Sequence, residues 1–374
     1  MKVTFLTYIY PYPERGFNPG IERVIQEFAR NLVDKGHEVH VLTTYRNGGS
    51  EKHGEDQGVR IHRVSDTRRY LGRVGSLLSL DLLSLNISFK SYSELLETSD
   101  VVHAFTPIIH KFFSTKLVSH YHHWDDPSQP LEYLYLPSSH LLWKQCYEIS
   151  DKVVAVSEYS ATDLSERGVD DEKLVVVPNG VDTGKYNPGP SDIEFNEWET
   201  VLLYVGPLMD RKGIEYLIQS LPTILDKYPK TGLVIVGGGE SDTYEELADS
   251  LGVKDNIRFE GFVPDEKLPE YYRGADIFAF PSLLEGFGMV LIEAMASGLP
   301  VVSTTSSAIP EVVGDAGLLC EPASVSPIAK QVCDLIENPE LQHELSESGL
   351  TRVESKFTWN AATEQLIEHY RQTT

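Results

Sequence analysis

In the stretch EGFGMVLIE, Glu285 and Glu293 enclose a Gly-Phe-Gly turn, and the whole follows an apolar run, FAFPSLL. Carboxylates accept hydrogen bonds from hydroxyl groups. Glycines between a strand and a helix let backbone N–H groups close on an anion, which the positive end of the helix also attracts. The strand pattern of FAFPS and the helical pattern of MVLIEAMASG, bounded by Gly298, put Glu285 on a loop and Glu293 more than a turn inside the helix. That separation does not suit an acid/base pair. It suits one extended ligand with hydroxyls at both ends and a diphosphate between them. The plainer reading makes Glu285 a loop charge and Glu293 an ordinary helix-face glutamate.

Other loops carry cations and imidazoles. GPLMDRKG sets Arg211 and Lys212 between a strand and a helix, where arginine forks onto a phosphate and lysine acts as a point charge. A solvated surface pair is the alternative. KLVSHYHHW runs an apolar strand into His120, His122 and His123, and alternation places His120 and His122 on one face, so at most two share a site. No Cys or Glu stands at metal spacing beside them, which favours a hydrogen-bonding or core histidine over a metal ligand. The loop YPYPERGFNPGIE holds Gly16 and Gly20 just ahead of a helix starting near Ile21, where glycine permits an anion close to the helix end; a mere turn explains it equally. GGGE at 237–240 follows a strand but lacks the spacing of a dinucleotide loop.

These loops need elements to hold them. VTFLTYIY, IERVIQEFARNLVDKG and HEVHVLTTY read as strand, amphipathic helix and strand, and VRIHRV, DVVHAF, KLVSHYHH, KVVAVS and KLVVVPNG continue as short β-branched strands. ETVLLYVGPL opens a second cycle that runs through GLVIVGGG, NIRFEGFV, DIFAFPS and PVVST to a long helical tail. The predicted fold class is α/β, with two Rossmann-like doubly wound domains. TGKYNPGPSDIEFNEWET follows neither period and reads as a linker. The expected layout is a first domain at 1–183, a linker at 184–199, a second domain at 200–355 and a C-terminal segment at 356–374. Ligands of such sheets sit beyond the carboxyl ends of the strands, so the chemistry is expected at a cleft that the two domains face.

Composition narrows the classes. A length of 374 residues suits two domains, each with its own core. No apolar stretch reaches the roughly 18 residues of a spanning helix, and the N-terminal run is broken by prolines and lacks a small-residue cleavage site. Cys146, Cys320 and Cys333 are too few and scattered for a disulfide framework or a zinc site, which fits a reducing cytosol. A net charge of −24 leaves no surplus of cations for a phosphate backbone and excludes general nucleic-acid binding. Such acidity favours solubility and also suits a salt-rich cytoplasm.

Taken together, IERV after the glycine loop, GHEVHVLT, SDVVHAF, VAVSEYSATDL, VVVPNGVD, YVGPLMDRKGIEYLI, LVIVGGG, IRFEGFV, ADIFAFPSLLEGFGMVLIEAMASGLPVVST and FTWNAATEQLIEHY span nearly the whole chain. In these motifs the chain resembles the family 4 glycosyltransferases, retaining enzymes of the GT-B fold that use nucleotide-sugar donors. The resemblance implies that Glu285 contacts donor-sugar hydroxyls and that Gly286, Phe287, Gly288 and Met289 surround sugar and diphosphate. It implies Glu293 as the ribose ligand, Arg211 and Lys212 as phosphate-binding cations, Gly20 near the diphosphate, and Val263 beside the base. His122 matches the cleft histidine of the first domain, and the C-terminal helix is expected to cross back onto that domain. Neither a metal ion nor a cofactor is implied. Two positions depart from the family: Pro207 stands where an arginine is common, leaving Arg211 to supply that charge, and Pro19-Gly20 keeps only the second glycine of a pair.

The implied reaction is sugar transfer from a UDP- or GDP-sugar to the hydroxyl of a glycan or lipid-linked acceptor. Residues 67–90, TRRYLGRVGSLLSLDLLSLNISFK, combine Arg68, Arg69 and Arg73 with an apolar run. One reading is an interfacial segment meeting a lipid-linked pyrophosphate at the cytoplasmic face of a membrane; a core helix with a basic approach loop is the other. Two further classes remain: a GT-B-fold epimerase or phosphorylase, and a non-catalytic nucleotide-sugar-binding partner subunit.

Overall fold

The computed structural model describes residues 1–11, 20–45, 52–64, 80–122 and 132–373. The chain divides into two compact units, Met1–Pro178 with Trp359–Thr374, and Asn179–Thr358. In the first, β1 (Lys2–Leu6), β2 (Glu38–Thr44), β3 (His53–Asp56), β4 (Val59–Val64), β5 (Val101–Ala104), β6 (Lys116–Tyr121), β7 (Lys152–Ala155) and β8 (Leu174–Val176) lie in the order β3-β4-β2-β1-β5-β6-β7-β8. All neighbours run parallel except β3, which is antiparallel to β4. Central strands such as β5, VVHA, are buried on both faces, so they read as continuous apolar runs without alternation. The helix Gly20–Asp34 turns Val24, Ile25, Phe28, Ala29 and Leu32 onto the sheet.

The edge strand β3, HGED, carries no β-branched residue and gave no strand signal. A side-chain network holds it. Asp56 accepts from Tyr10 Oη (2.9 Å), Gln26 Nε2 (3.0 Å) and the Arg30 guanidinium (3.1 and 2.8 Å). Burial alone would raise its carboxyl pKa, but the bonds from Arg30, Gln26 and Tyr10 outweigh that and hold it below the ordinary carboxylate range. Asp56→Ala is expected to destabilise the first unit by about 3 kcal/mol in urea unfolding, because it strands buried donors. A depressed folded pKa means this stabilisation is present above the unfolded value of 3.8 and is lost as pH falls through the folded one.

The second unit contains β9 (Thr200–Val205), β10 (Thr231–Val236), β11 (Ile257–Gly261), β12 (Ile277–Phe280), β13 (Val301–Thr304) and β14 (Gly317–Cys320). Their order is β11-β10-β9-β12-β13-β14, all parallel. Winding reverses between β9 and β12, so the loops that leave these two adjacent strands diverge and open a crevice at their carboxyl ends.

Residues 184–199, expected to be a linker, belong to this second unit. The Ser191 hydroxyl donates to the Glu270 carbonyl (2.7 Å), and Phe195 is buried beside Trp198. Polar, aperiodic sequence hid a segment that is packed. The expected helical tail also contains β14, whose GLLC has too few residues to show a period.

The last helix, Trp359–Thr373, is part of the first unit and buries Trp359, Ala362, Leu366, Ile367 and Tyr370 there. Trp359 meets Phe28 edge-on at 5.4 Å. Among the described residues no helix is long and apolar enough to cross a membrane. Arg68, Arg69 and Arg73 lie outside the described residues; the helix Leu80–Phe89 follows them, with Leu85 and Phe89 buried and Ile87 74% exposed.

Candidate active site

The switch point of the second unit gathers Lys212 and Glu285 from sequence positions 73 residues apart. After β9 the chain makes a short turn over Asp210–Lys212 and enters the helix Ile214–Lys227 through Gly213. Gly213 has φ +66°, and a Cβ there would stand 2.0 Å from the Pro281 carbonyl oxygen. Only glycine allows the loops after β9 and β12 to approach this closely. The second loop is then stitched to the first: Leu283 N–H donates to the Arg211 carbonyl (2.8 Å), and Arg211 Nη1 reaches the Leu284 carbonyl at 3.4 Å.

Lys212 Nζ lies 2.5 Å from Glu285 Oε1, and the same oxygen accepts from Ser282 Oγ at 2.7 Å. Both charged side chains are almost out of solvent, at 10% and 9% exposure. Burial pushes the Lys212 ammonium below its ordinary range, and Glu285 pulls the other way. Lys212 Nζ lies over the Phe280 ring, 5.4 Å from its centre. An ion pair so dry is attractive to any anion able to replace the carboxylate.

Beyond Glu285, Gly288 caps the helix Met289–Ala296 with φ +92°, a backbone conformation that favours glycine. No acidic residue occupies the first turn of this helix, so its free N–H groups are not countered by a local carboxylate. Phe287 turns its ring inward against Phe357 (5.7 Å, 81°) and anchors the loop, which leaves its backbone for a ligand. Met289 is half-buried at the helix start. Glu293 is 1% exposed and accepts from Tyr272 Oη at 2.9 Å, so its carboxylate is fixed from behind. Val263 is half-buried just past β11, which β10 separates from β9.

In the first unit His122 follows β6 and stacks on His120, with ring centres 4.6 Å apart and planes 18° apart. His120 stacks on His103 (5.3 Å), to which its Nδ1 is hydrogen-bonded at 3.3 Å, and His103 Nδ1 meets Tyr370 Oη at 2.5 Å. Burial drives the His103 pKa down to about 3 and that of His120 well below the ordinary value, so both rings are neutral. His120 and His122 share a face as expected, but His120 is a core residue and, of the two, His122 stands at the strand's carboxyl end; His123 lies outside the described residues. Gly20 begins its helix exposed, and a Cβ there would meet nothing within 4 Å.

Sequence reading missed Ser282, Ser307 and Tyr272. Ser282 is one hydroxyl inside an apolar run, Ser307 is one of several hydroxyls in TTSSA, and Tyr272 looks like any core aromatic. Only the adjacency of β12 and β13 would have pointed to Ser307.

The description "Glycosyl transferases group 1" matches residues 190–352, and "Glycosyltransferase Family 4" matches residues 19–185. The chain belongs to the family 4 glycosyltransferases. Among curated relatives of this family member, the O-antigen chain mannosyltransferase B of Escherichia coli is 34% identical over 177 residues, 46% of each chain. A GDP-mannose-dependent alpha-(1-6)-phosphatidylinositol monomannoside mannosyltransferase of Mycobacterium tuberculosis is 30% identical over 253 residues, 63% of this chain and 66% of the relative. The alignment thus spans about half the length of the first relative. Among solved structures, sucrose-phosphate synthase from Thermosynechococcus elongatus superposes with a TM-score of 0.81 at 22% identity, covering 99% of this chain and 98% of the other. That likeness establishes the GT-B fold of the family.

Proposed function

We propose that this family 4 member transfers a hexose, with retention, from a nucleoside-diphosphate sugar to an acceptor hydroxyl. The observation that carries the reading is the convergence, at one switch point, of the dry Lys212–Glu285 pair and the glycine-capped helix Met289–Ala296. Lys212, Arg211 and the helix N-terminus take the diphosphate, and Glu285 takes sugar hydroxyls. Glu293, fixed by Tyr272, takes the ribose, and the backbone near Val263 borders the base.

As the bond from C1 to the diphosphate oxygen breaks, negative charge grows on the leaving phosphate, where the ammonium of Lys212 and the guanidinium of Arg211 stabilise it. The acceptor oxygen bonds to C1 on the same face, and its proton passes to the departing phosphate oxygen. With the charge met by these cations and backbone dipoles, turnover proceeds without a divalent metal. The acceptor is a glycan or lipid-linked hydroxyl presented at the cytoplasmic face of a membrane, with residues 67–90 as the contact.

A thermal-shift panel tests the donor. GDP-mannose and UDP-glucose are compared at one common concentration, and a donor present at about 100 times its Kd would stabilise the second unit by about 2.7 kcal/mol if bound to the folded form only. The sugar nucleotide of the mycobacterial relative, GDP-mannose, is expected to give the larger shift, unchanged by EDTA. Absence of a shift with every UDP-, GDP- and ADP-sugar would sink the reading. A donor that shifts only with added divalent metal would sink its metal independence.

A further inference from the structure

Ser307 is held at φ +50°, in the left-handed region that a residue with a Cβ enters only at a cost. It lies in the loop TSSA, residues 305–308, between β13 and the helix Ile309–Val313. Because β13 is the neighbour of β12 in the sheet, this loop runs beside the one that carries Glu285. Four contacts join them. Thr304 Oγ1 donates to the Ser282 carbonyl (2.6 Å) and Ser306 Oγ to the Leu283 carbonyl (2.5 Å). Ser307 Oγ accepts the N–H of Glu285 at 2.8 Å, and Ala308 N–H donates to the Glu285 carbonyl at 3.3 Å. Both backbone groups of Glu285 are therefore bound by the Ser307–Ala308 pair.

A glycine at 307 would relax the backbone and lose the bond to Glu285. Serine keeps the strain and makes the bond. Strain of this kind persists where the surroundings over-determine it, and it gathers at sites that need a fixed geometry. We infer that Ser307 is a positioning residue for donor-sugar recognition: its strained backbone sets the hydroxyl that fixes the Glu285 backbone, and with it the direction of the carboxylate toward the sugar. The inference rests on the reading of Glu285 as the sugar-contacting group.

The test compares wild type, Ser307→Gly, Ser307→Ala and Glu285→Gln by calorimetric titration with GDP-mannose against GDP and UDP-glucose against UDP. The quantity read, on whichever pair binds more tightly, is the ratio of affinities for the sugar nucleotide and the bare diphosphate. Loss of one neutral hydrogen bond that sets the carboxylate is expected to lower that ratio about tenfold in both Ser307 variants, with affinity for the bare diphosphate unchanged. The melting temperature separates the two variants: Ser307→Gly, relieved of strain, melts at or above wild type, and Ser307→Ala, which keeps the strain and loses the bond, melts below it. A merely structural serine would instead move both affinities together with the melting temperature. If Glu285→Gln lowers the ratio and Ser307→Gly leaves it at the wild-type value, the positioning role is overturned. If Glu285→Gln also leaves it unchanged, or if neither pair binds, the reading of Glu285 itself falls.

Discussion

Lys212→Met is expected to lower kcat/KM for sugar transfer by two to three orders of magnitude, about 3–4 kcal/mol of transition-state stabilisation. The ammonium is the most deeply buried cation of the candidate site, and a charge fixed in such surroundings acts on developing charge with little solvent screening. Methionine keeps an unbranched apolar side chain at this position and removes the charge that lies over Phe280. The loss should appear in kcat as well as KM, because negative charge on the diphosphate is greatest in the transition state.

The same change leaves Glu285 buried with Ser282 as its one remaining side-chain donor among the described residues, and breaking such a pair costs about 3 kcal/mol of stability. The double variant Lys212→Met, Glu285→Gln is therefore expected to recover melting temperature without recovering turnover. Initial-rate assays with the donor found by thermal shift, beside thermal melts, measure both. Turnover within threefold of wild type in Lys212→Met would remove Lys212 from the mechanism.

Acid is expected to destabilise the first unit well before its carboxylates titrate. The folded pKa of His103 is depressed to about 3 from 6.5 by burial. Between those values the unfolded chain binds a proton that the folded chain refuses, so stability is full above pH 6.5 and falls as pH drops. Two pH units below that point, His103 alone removes about 2.7 kcal/mol. His120 acts in the same direction from complete burial, and His62, taken to about 4 by burial and by His40 and His53, adds a weaker contribution because it is only half-buried.

Asp56 enters only below its ordinary range, so the limb from about pH 6.5 to 4 belongs to the histidines. Hydrogen exchange of β5 and β6 amides across this range reports the first unit. The variant His103→Gln, His120→Phe, which keeps an acceptor for Tyr370 and a ring beneath His122, should flatten the limb. Equal protection of these strands at pH 7 and at about pH 4.5 would show that the buried histidines do not govern it.

The sequence by itself determined what depends on neighbours along the chain. Repeated apolar runs and amphipathic helices specified parallel α/β units, and FAFPS-LLEGFG-MVLIEAMA specified a strand, a glycine turn and a helix that start within a residue or two of their places in the structure. Those features follow from period and backbone permissiveness, which are local properties.

Tertiary structure alone decided which loops meet. The order β11-β10-β9-β12-β13-β14 sets Lys212 against Glu285 and places Ser307, 22 residues downstream, on the Glu285 backbone. In the second unit packing also turns Glu293 inward to Tyr272, and in the first it draws Tyr370 to His103 across 267 residues, closing that unit with the end of the chain. The edge strand HGED and the packed segment 184–199 exist for the same reason. In each case buried donors and acceptors must be paired once water is excluded, and partners distant in sequence satisfy them, a demand that no local pattern of residues records.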